Sequence, residues 1–305
     1  MRHILNTKQF SKEDVANILE RTYKMEEQCK AGKVEKLLQD KIVACIFFEP
    51  STRTRLSFET AALKLGANII SAENAAANSS SYKGETIEDT SKMLNCYADL
   101  IVIRHPKMGE VEDASKVSDK PVINAGDGAN QHPTQALLDL YTIKKEHKRL
   151  NDISIAFVGD VLNSRPLRSL VPLLLLYPGS TFYFVSPKEL VLPEDYKKYL
   201  VDSKVNFVET DSLEEVLPKI DVLYMTRVQK ERFTNLEDYE KVKDSFLLKL
   251  EHVSKLKKEA IIMHPLPRVN EIDSVIDRDP RAAYFRQAQN GLYMRMALLC
   301  YCLNL

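Results

Sequence analysis

Runs of continuously apolar residues, each of strand length and each followed by a helix-length segment, recur through this 305-residue chain. Residues 42–48, 100–104 and 121–124 are such runs in the first half, and 153–159, 181–185, 205–208, 222–225 and 260–263 in the second. A strand that is apolar at successive rather than alternate residues is buried on both faces. Helices must then cover both sides of a parallel sheet, and the intervening segments are mostly long enough for crossover helices. A chain of this length suits two cores better than one. The expected fold class is α/β, with two domains, each a mainly parallel sheet flanked by helices.

Two helices are legible in detail. Residues 55–65 carry Leu56, Ala61, Leu63 and Leu65, and residues 133–147 present Ala136, Leu137, Leu138, Leu140, Tyr141 and Ile143. The polar stretch 145–152 then leads into a fresh strand, Ile153 to Asp160, which restarts the α/β pattern. The last segment, 291–304, reads as an apolar helix. Residues 231–243 and the segment around Lys83 read as polar loops.

Lysine plus arginine (43) equals aspartate plus glutamate (43), so no global field recruits nucleic acid or an acidic membrane. Any anion site must be local. No apolar run reaches the roughly 20 residues that span a bilayer, and the opening residues have no signal-peptide run. A cytoplasmic protein is expected. Cys29, Cys45, Cys96, Cys300 and Cys302 are scattered and lack metal-ligand spacing, so buried reduced thiols are expected, with no metal and no cofactor.

Three constellations carry chemistry. Ser51, Thr52, Arg53, Thr54 and Arg55 stand where the first strand ends and a helix begins. A helix N-terminus offers free N–H groups and partial positive charge, and Arg53 can grip two phosphate oxygens. A plainer reading is that Ser51 or Thr52 caps the helix while the arginines are solvated, and the residues alone leave both standing. Arg104-His105-Pro106 closes another strand, where side chains of parallel sheets meet the ligand crevice. A strand-terminating charge is the bland alternative. A glycine-containing turn, Asn124 to Gln131, delivers His132, Pro133 and Gln135 to the start of a helix, with Pro133 suited to its first position. There His132 could donate to a carbonyl oxygen and Gln135 could read an amide. Neither Gly126-Asp127-Gly128 nor Gly159-Asp160 forms a nucleotide-binding glycine pattern, and no P-loop is present.

Taken together, Ser51-Thr52-Arg53-Thr54, Arg104-His105-Pro106 and His132-Pro133-Thr134-Gln135 resemble the carbamoyltransferases in order, spacing and context. The resemblance covers essentially the whole chain. It implies a carbamoyl-phosphate-binding domain of residues 1–132 with the C-terminal helix 288–305, and an acceptor-binding domain of residues 133–287, helix 133–147 bridging them. It also implies a homotrimer with shared active sites; whether a separate regulatory chain binds stays open. Three segments resemble the aspartate rather than the ornithine branch: Arg227-Val228-Gln229, His264-Pro265-Leu266-Pro267-Arg268, and Thr134 within the histidine motif. L-Aspartate brings two carboxylates and calls for two cationic forks, for which Arg165 and Arg227 are candidates. In the family a serine and a lysine reach the neighbouring subunit's site. Lys83 matches that lysine, and among Ser79, Ser80 and Ser81 the spacing favours Ser79.

The resemblance implies transfer of a carbamoyl group to the amine of aspartate, a step of de novo pyrimidine biosynthesis. Ser51, Thr52, Arg53 and Thr54, with Ser79 and Lys83, are expected to hold the phosphate. Thr54, Arg104 and His132 would stabilise the carbonyl oxygen, an oxyanion-hole role. Gln135 and the Leu266 carbonyl, beside Pro267, would orient the carbamoyl amide, while Arg165, Arg227, Gln229 and Lys83 would bind aspartate.

Overall fold

The computed structural model describes residues 2–75, 84–229, 233 and 235–305. By contact, the chain divides into two compact units. The first comprises Met1–Tyr141, Arg168–Leu173 and Gln289–Leu305, and the second Thr142–Leu167 and Leu174–Ala288.

The first unit holds β1 (Ile42–Phe47), β2 (Asn68–Glu73), β3 (Leu100–His105) and β4 (Val122–Asp127) in a parallel sheet of order β2-β1-β3-β4. The helices α1 (Lys12–Lys30), α2 (Thr52–Lys64), α3 (Ile87–Asn95) and α4 (Glu110–Lys116) belong to it. At the start of helix α1, Ser11 and Asp14 exchange hydrogen bonds in a capping box. β1, β3 and β4 are almost wholly buried, and Ala44, Ile46, Ile101, Ile103 and Val122 join one apolar cluster. Helix α5 (Pro133–His147) follows β4, and the unit boundary falls within it.

The second unit holds β5 (Ser154–Val158), β6 (Thr181–Val185), β7 (Asn206–Thr210), β8 (Val222–Met225) and β9 (Ile261–Met263), all parallel, in the order β7-β6-β5-β8-β9. Its chain includes α6 (Arg165–Leu174, in part), α7 (Glu194–Asp202), α8 (Leu213–Val216), α9 (Leu236–Val242) and α10 (Leu250–Ser254). The last helix, α11 (Tyr284–Leu303), crosses the boundary and ends in the first unit. Ala156, Val158, Leu223, Met225 and Ile262 form the centre of a second core.

Both sheets are doubly wound, and each order reverses once, between β1 and β3 in the first and between β5 and β8 in the second. The crevice at the carboxyl ends of the strands flanking such a reversal is where α/β sheets receive ligands.

The structure departs from the sequence reading in four places. Asn68–Glu73 is a strand not anticipated, because an edge strand half open to solvent lacks a continuous apolar run. Within the expected polar loop 231–243, Leu236–Val242 is helical, with the Asn235 side chain accepting from the Glu237 N–H. The C-terminal helix begins at Tyr284, seven residues early. Of the cysteines, Cys45, Cys300 and Cys302 are buried, burial raising Cys45 to about 12 and Cys300 to about 11, but Cys96 is exposed and Cys29 only partly buried. Among the described residues no helix is long and apolar enough to cross a membrane, and no His/Cys/Asp/Glu group could hold a metal ion.

Candidate active site

Three of the sequence constellations meet at the carboxyl edge of the first sheet. Helix α2 starts directly beyond β1, and its N-cap residue Ser51 makes no side-chain capping hydrogen bond. The capping alternative therefore does not describe Ser51. Thr52 and Arg53 are exposed in the first turn, while Thr54 is buried. Arg55 is engaged elsewhere, pairing with Glu59 at 2.9 Å and Glu73 at 3.1 Å. The N-terminus of α2 thus places short hydroxyls and a guanidinium beside its first-turn N–H groups, the Ser51 N–H itself donating to Glu73 Oε1 at 3.4 Å, an arrangement that suits a phosphate.

Arg104 lies on β3, across the sheet reversal from β1. Its guanidinium is buried, donates to the Ala125 carbonyl at 3.4 Å and pairs with Glu49 at 2.6 Å. Burial lowers its pKa and Glu49 opposes that fall. Its Nε has no hydrogen-bond partner among the described residues. Gly126, at φ +121°, makes the room: a methyl there would lie 3.1 Å from Arg104 Nη1 and 3.7 Å from His132 Cδ2. Arg104 and His132, 28 positions apart in sequence, therefore converge on one glycine. The His132 N–H donates to Ser169 Oγ at 3.0 Å, and its carbonyl accepts from Gln135 and Ala136 at the start of α5. Thr134 Oγ1 stands 3.5 Å from His132 Nδ1; a hydroxyl donating there leaves the ring proton on Nε2, as a carbonyl donor requires. His105 packs edge-on against Phe48 with its pKa lowered by burial, and Nδ1 accepts from the Lys107 N–H. It braces the turn, so of the Arg-His-Pro motif only Arg104 joins this group.

The second unit repeats the plan. β5 and β8 are neighbours; beyond β5 a loop leads to Arg165, the first residue of α6, and the loop beyond β8 carries Arg227 and Gln229. Asp160, fully buried, joins the two loops: Oδ1 accepts from the Asn163 N–H at 2.9 Å, and Oδ2 lies 3.5 Å from the Gln229 N–H. Beyond β9, Leu266 and Pro267, joined by a cis peptide bond, sit in a turn held by His264. The Leu266 N–H donates to His264 Nδ1 at 2.8 Å, so the ring proton is on Nε2, which donates to Glu271 Oε1 at 2.7 Å. Burial lowers the His264 pKa, with Arg268 and Arg227 adding to the effect against the pull of Glu271. For Glu271, burial acts upward, but the hydrogen bonds from His264 and the backbone outweigh it and hold the carboxyl below its usual range. Ser79 and Lys83, with Ser80 and Ser81, lie outside the described residues.

Residues not anticipated as part of this machinery are Gly126, Ser169, Asp160 and the His264–Glu271 pair. Of these, Asp160 and Gly126 gave a signal as members of glycine-containing turns after strands, and His264 as part of the segment that resembles the aspartate branch; Ser169 and Glu271 gave none.

Two doubly wound sheets with arginines at or just beyond the strand ends that flank each reversal define a two-domain α/β protein. Comparison with known proteins gives the family. Residues 2–145 match the carbamoyl-phosphate-binding domain, and residues 151–302 the Asp/Orn-binding domain, of aspartate/ornithine carbamoyltransferase. The chain belongs to that family. The aspartate carbamoyltransferase catalytic subunit of Methanocaldococcus jannaschii is 50% identical over 299 residues, covering 98% of this chain and 97% of that one. The chloroplastic aspartate carbamoyltransferase of Arabidopsis thaliana is 46% identical over 297 residues, 97% of this chain and 76% of its own length. Among solved structures, the M. jannaschii catalytic subunit superposes with a TM-score of 0.92 at 49% identity, covering 100% of this chain and 98% of that one. Aspartate transcarbamoylase from Trypanosoma cruzi, in complex with carbamoyl aspartate and phosphate, gives 0.89 at 38% identity over 98% of this chain and 94% of that one.

Proposed function

We propose that this protein transfers the carbamoyl group of carbamoyl phosphate to the α-amino group of L-aspartate, giving N-carbamoyl-L-aspartate and phosphate. The observation that carries the reading is the convergence of Arg104 and His132 on Gly126, beside the uncapped N-terminus of α2. An arginine and a histidine brought together in this way suit an oxygen that gains negative charge, and a helix N-terminus beside them suits a phosphate that leaves.

The amine forms the new C–N bond, giving a tetrahedral intermediate whose oxyanion is held by Thr54, Arg104 and His132. The C–O bond to phosphate then breaks, and the departing phosphate takes the amine proton, so no nucleophilic side chain enters. Ser51, Thr52, Arg53 and Thr54, with Ser79 and Lys83, hold the phosphate. Gln135, the Leu266 carbonyl and Pro267 are assigned to the carbamoyl amide. Arg165, Arg227, Gln229 and Lys83 are assigned to aspartate, whose two carboxylates match two guanidinium forks. The same reading makes the protein a cytoplasmic homotrimer in which Ser79 and Lys83 serve the neighbouring site; a separate regulatory chain is compatible with it and not required.

The test is an assay of carbamoyl-product formation from carbamoyl phosphate with aspartate or ornithine as acceptor. Turnover with aspartate alone is expected, abolished by Arg53→Ala and given a raised aspartate KM by Arg227→Ala. Turnover with neither acceptor, in intact trimer, would overturn the proposal.

A further inference from the structure

Gln135 is held from behind by two charged residues that have no part in the reaction as read above. Its Nε2 donates to Asp139 Oδ1 at 2.9 Å, one turn further along α5. Asp139 is fully buried. The Arg295 side chain of α11 is also buried, though not completely; burial lowers its pKa to about 10, and the attraction of Asp139 opposes the fall, which leaves the guanidinium charged at neutral pH. Arg295 lies over the Phe58 ring of α2, 5.1 Å from its centroid. Gly291 leaves space for it, since a methyl there would stand 2.5 Å from Arg295 Nη1 and 3.1 Å from Leu138 Cδ2. Gln135, partly exposed, thus reaches back along α5 to a carboxylate that is itself buried.

Burying a charge pair is generally no more favourable than packing two apolar residues in its place, so stability alone does not call for this one. An amide end has two nearly isosteric faces, an NH2 that donates and a C=O that accepts. A carboxylate only accepts. It can take the NH2 of Gln135 and nothing else, and it leaves Oε1 as the atom Gln135 presents. The consequence rests on the assignment of Gln135 to the carbamoyl amide under the proposed function.

We propose that Asp139 is a positioning residue that sets substrate specificity: it locks the Gln135 amide with its oxygen outward, so that the site selects an acyl phosphate whose acyl group carries an NH2 donor. Acetyl phosphate has the same phosphate and carbonyl but a methyl in place of the amino group, and it leaves the fixed acceptor unmet. A site that is built to hydrogen-bond a group discriminates against the analogue lacking it more strongly than a flexible site does.

The test uses the full-length protein and reads the ratio of the acetyl phosphate inhibition constant to the carbamoyl phosphate KM, with inorganic phosphate inhibition as a control for the phosphate cradle. In Asp139→Asn the new side chain can meet either face of the Gln135 amide, and the lock is released. The ratio is expected to fall about five- to tenfold, the effect of one neutral hydrogen bond, with the phosphate inhibition constant unchanged. Because Asp139→Asn leaves the Arg295 charge without its partner, the double variant Asp139→Asn with Arg295→Met provides a second background, and the same fall is expected there. An unchanged ratio in either folded variant overturns the proposal, as does parallel weakening of all three ligands, which would mean general damage. Failure of the underlying Gln135 assignment looks different: Gln135→Ala would then leave the preference for carbamoyl over acetyl phosphate unchanged.

Discussion

Arg104 carries a full charge at 9% exposure, and its surroundings explain both how it is tolerated and what it is held for. Glu49 and the Ala125 carbonyl take up part of its donor capacity, and Gly126 keeps the space in front of it open. A donor held this way meets a developing oxyanion without reorganising, which is the main source of such catalysis. Arg104→Ala is therefore expected to lower kcat about 100- to 1,000-fold in steady-state assays, with a smaller change in carbamoyl phosphate KM. A raised KM at unchanged kcat would reduce Arg104 to a ground-state contact. Residues of this kind were singled out in the sequence through the order and spacing of three motifs, because each motif alone also had an ordinary structural use as a helix cap or a strand-ending charge. Their supports were not: Glu271 lies seven residues from His264, and Asp139 lies far from Arg295, so nothing local marks either pair.

At the scale of elements, the reversal between β5 and β8 brings two strand ends together, and Gly159 is where they touch. At φ +111° it adopts a conformation unfavourable to other residues, and a methyl there would sit 2.3 Å from the Thr226 carbonyl oxygen. Backbone cannot yield as a side-chain tip can, so β5 and β8 would have to part. Gly159→Ala should cost about 1–3 kcal/mol from the backbone strain alone, read as a lowered midpoint of thermal unfolding. Because the loops of Arg165 and of Arg227 and Gln229 leave these strands, the aspartate KM should rise while the carbamoyl phosphate KM holds. An unchanged aspartate KM would separate the strand crossing from acceptor binding. Central strands were readable because burial on both faces imposes an uninterrupted apolar run, as in β3 and β8. β2 was not, since an edge strand with exposed positions obeys no such rule. Leu236–Val242 escaped for a related reason: so short and polar a helix has little apolar periodicity to declare it.

For the whole molecule, two behaviours follow. If Ser79 and Lys83 serve a neighbouring subunit, mixing Lys83→Ala chains with His132→Ala chains should form hybrid trimers more active than either parent, since some sites then draw both intact residues. Equal inactivity of the mixture would end the shared-site reading. The second behaviour is acid sensitivity. Four of the six histidines, His3, His105, His147 and His264, have lowered pKa values, with burial the leading cause in each. The unfolded chain takes up protons at these sites near 6.5, while the folded chain does so only at lower pH. Below about pH 6.5 the unfolded state therefore binds more protons, and stability falls as pH falls, by at most about 1.4 kcal/mol per pH unit for each such group. His264, 1% exposed, should approach that slope, whereas His3 and His147 are only partly buried and contribute less. Carboxylates act in a separate window. Asp277, held down chiefly by its hydrogen bond from Arg268, and Glu271, held down despite burial by His264 and backbone N–H groups, keep their contributions above the ordinary 3.8 and 4.5. They lose them only as pH drops through their depressed values. The midpoint of thermal unfolding should accordingly decline between pH 7.5 and 5.5, before Asp277 and Glu271 are protonated. His264→Gln, which can still donate to Glu271 but does not titrate, should be less stable at pH 7.5 yet lose less between the two. An undiminished loss would mean that protonation of His264 does not drive the acid sensitivity.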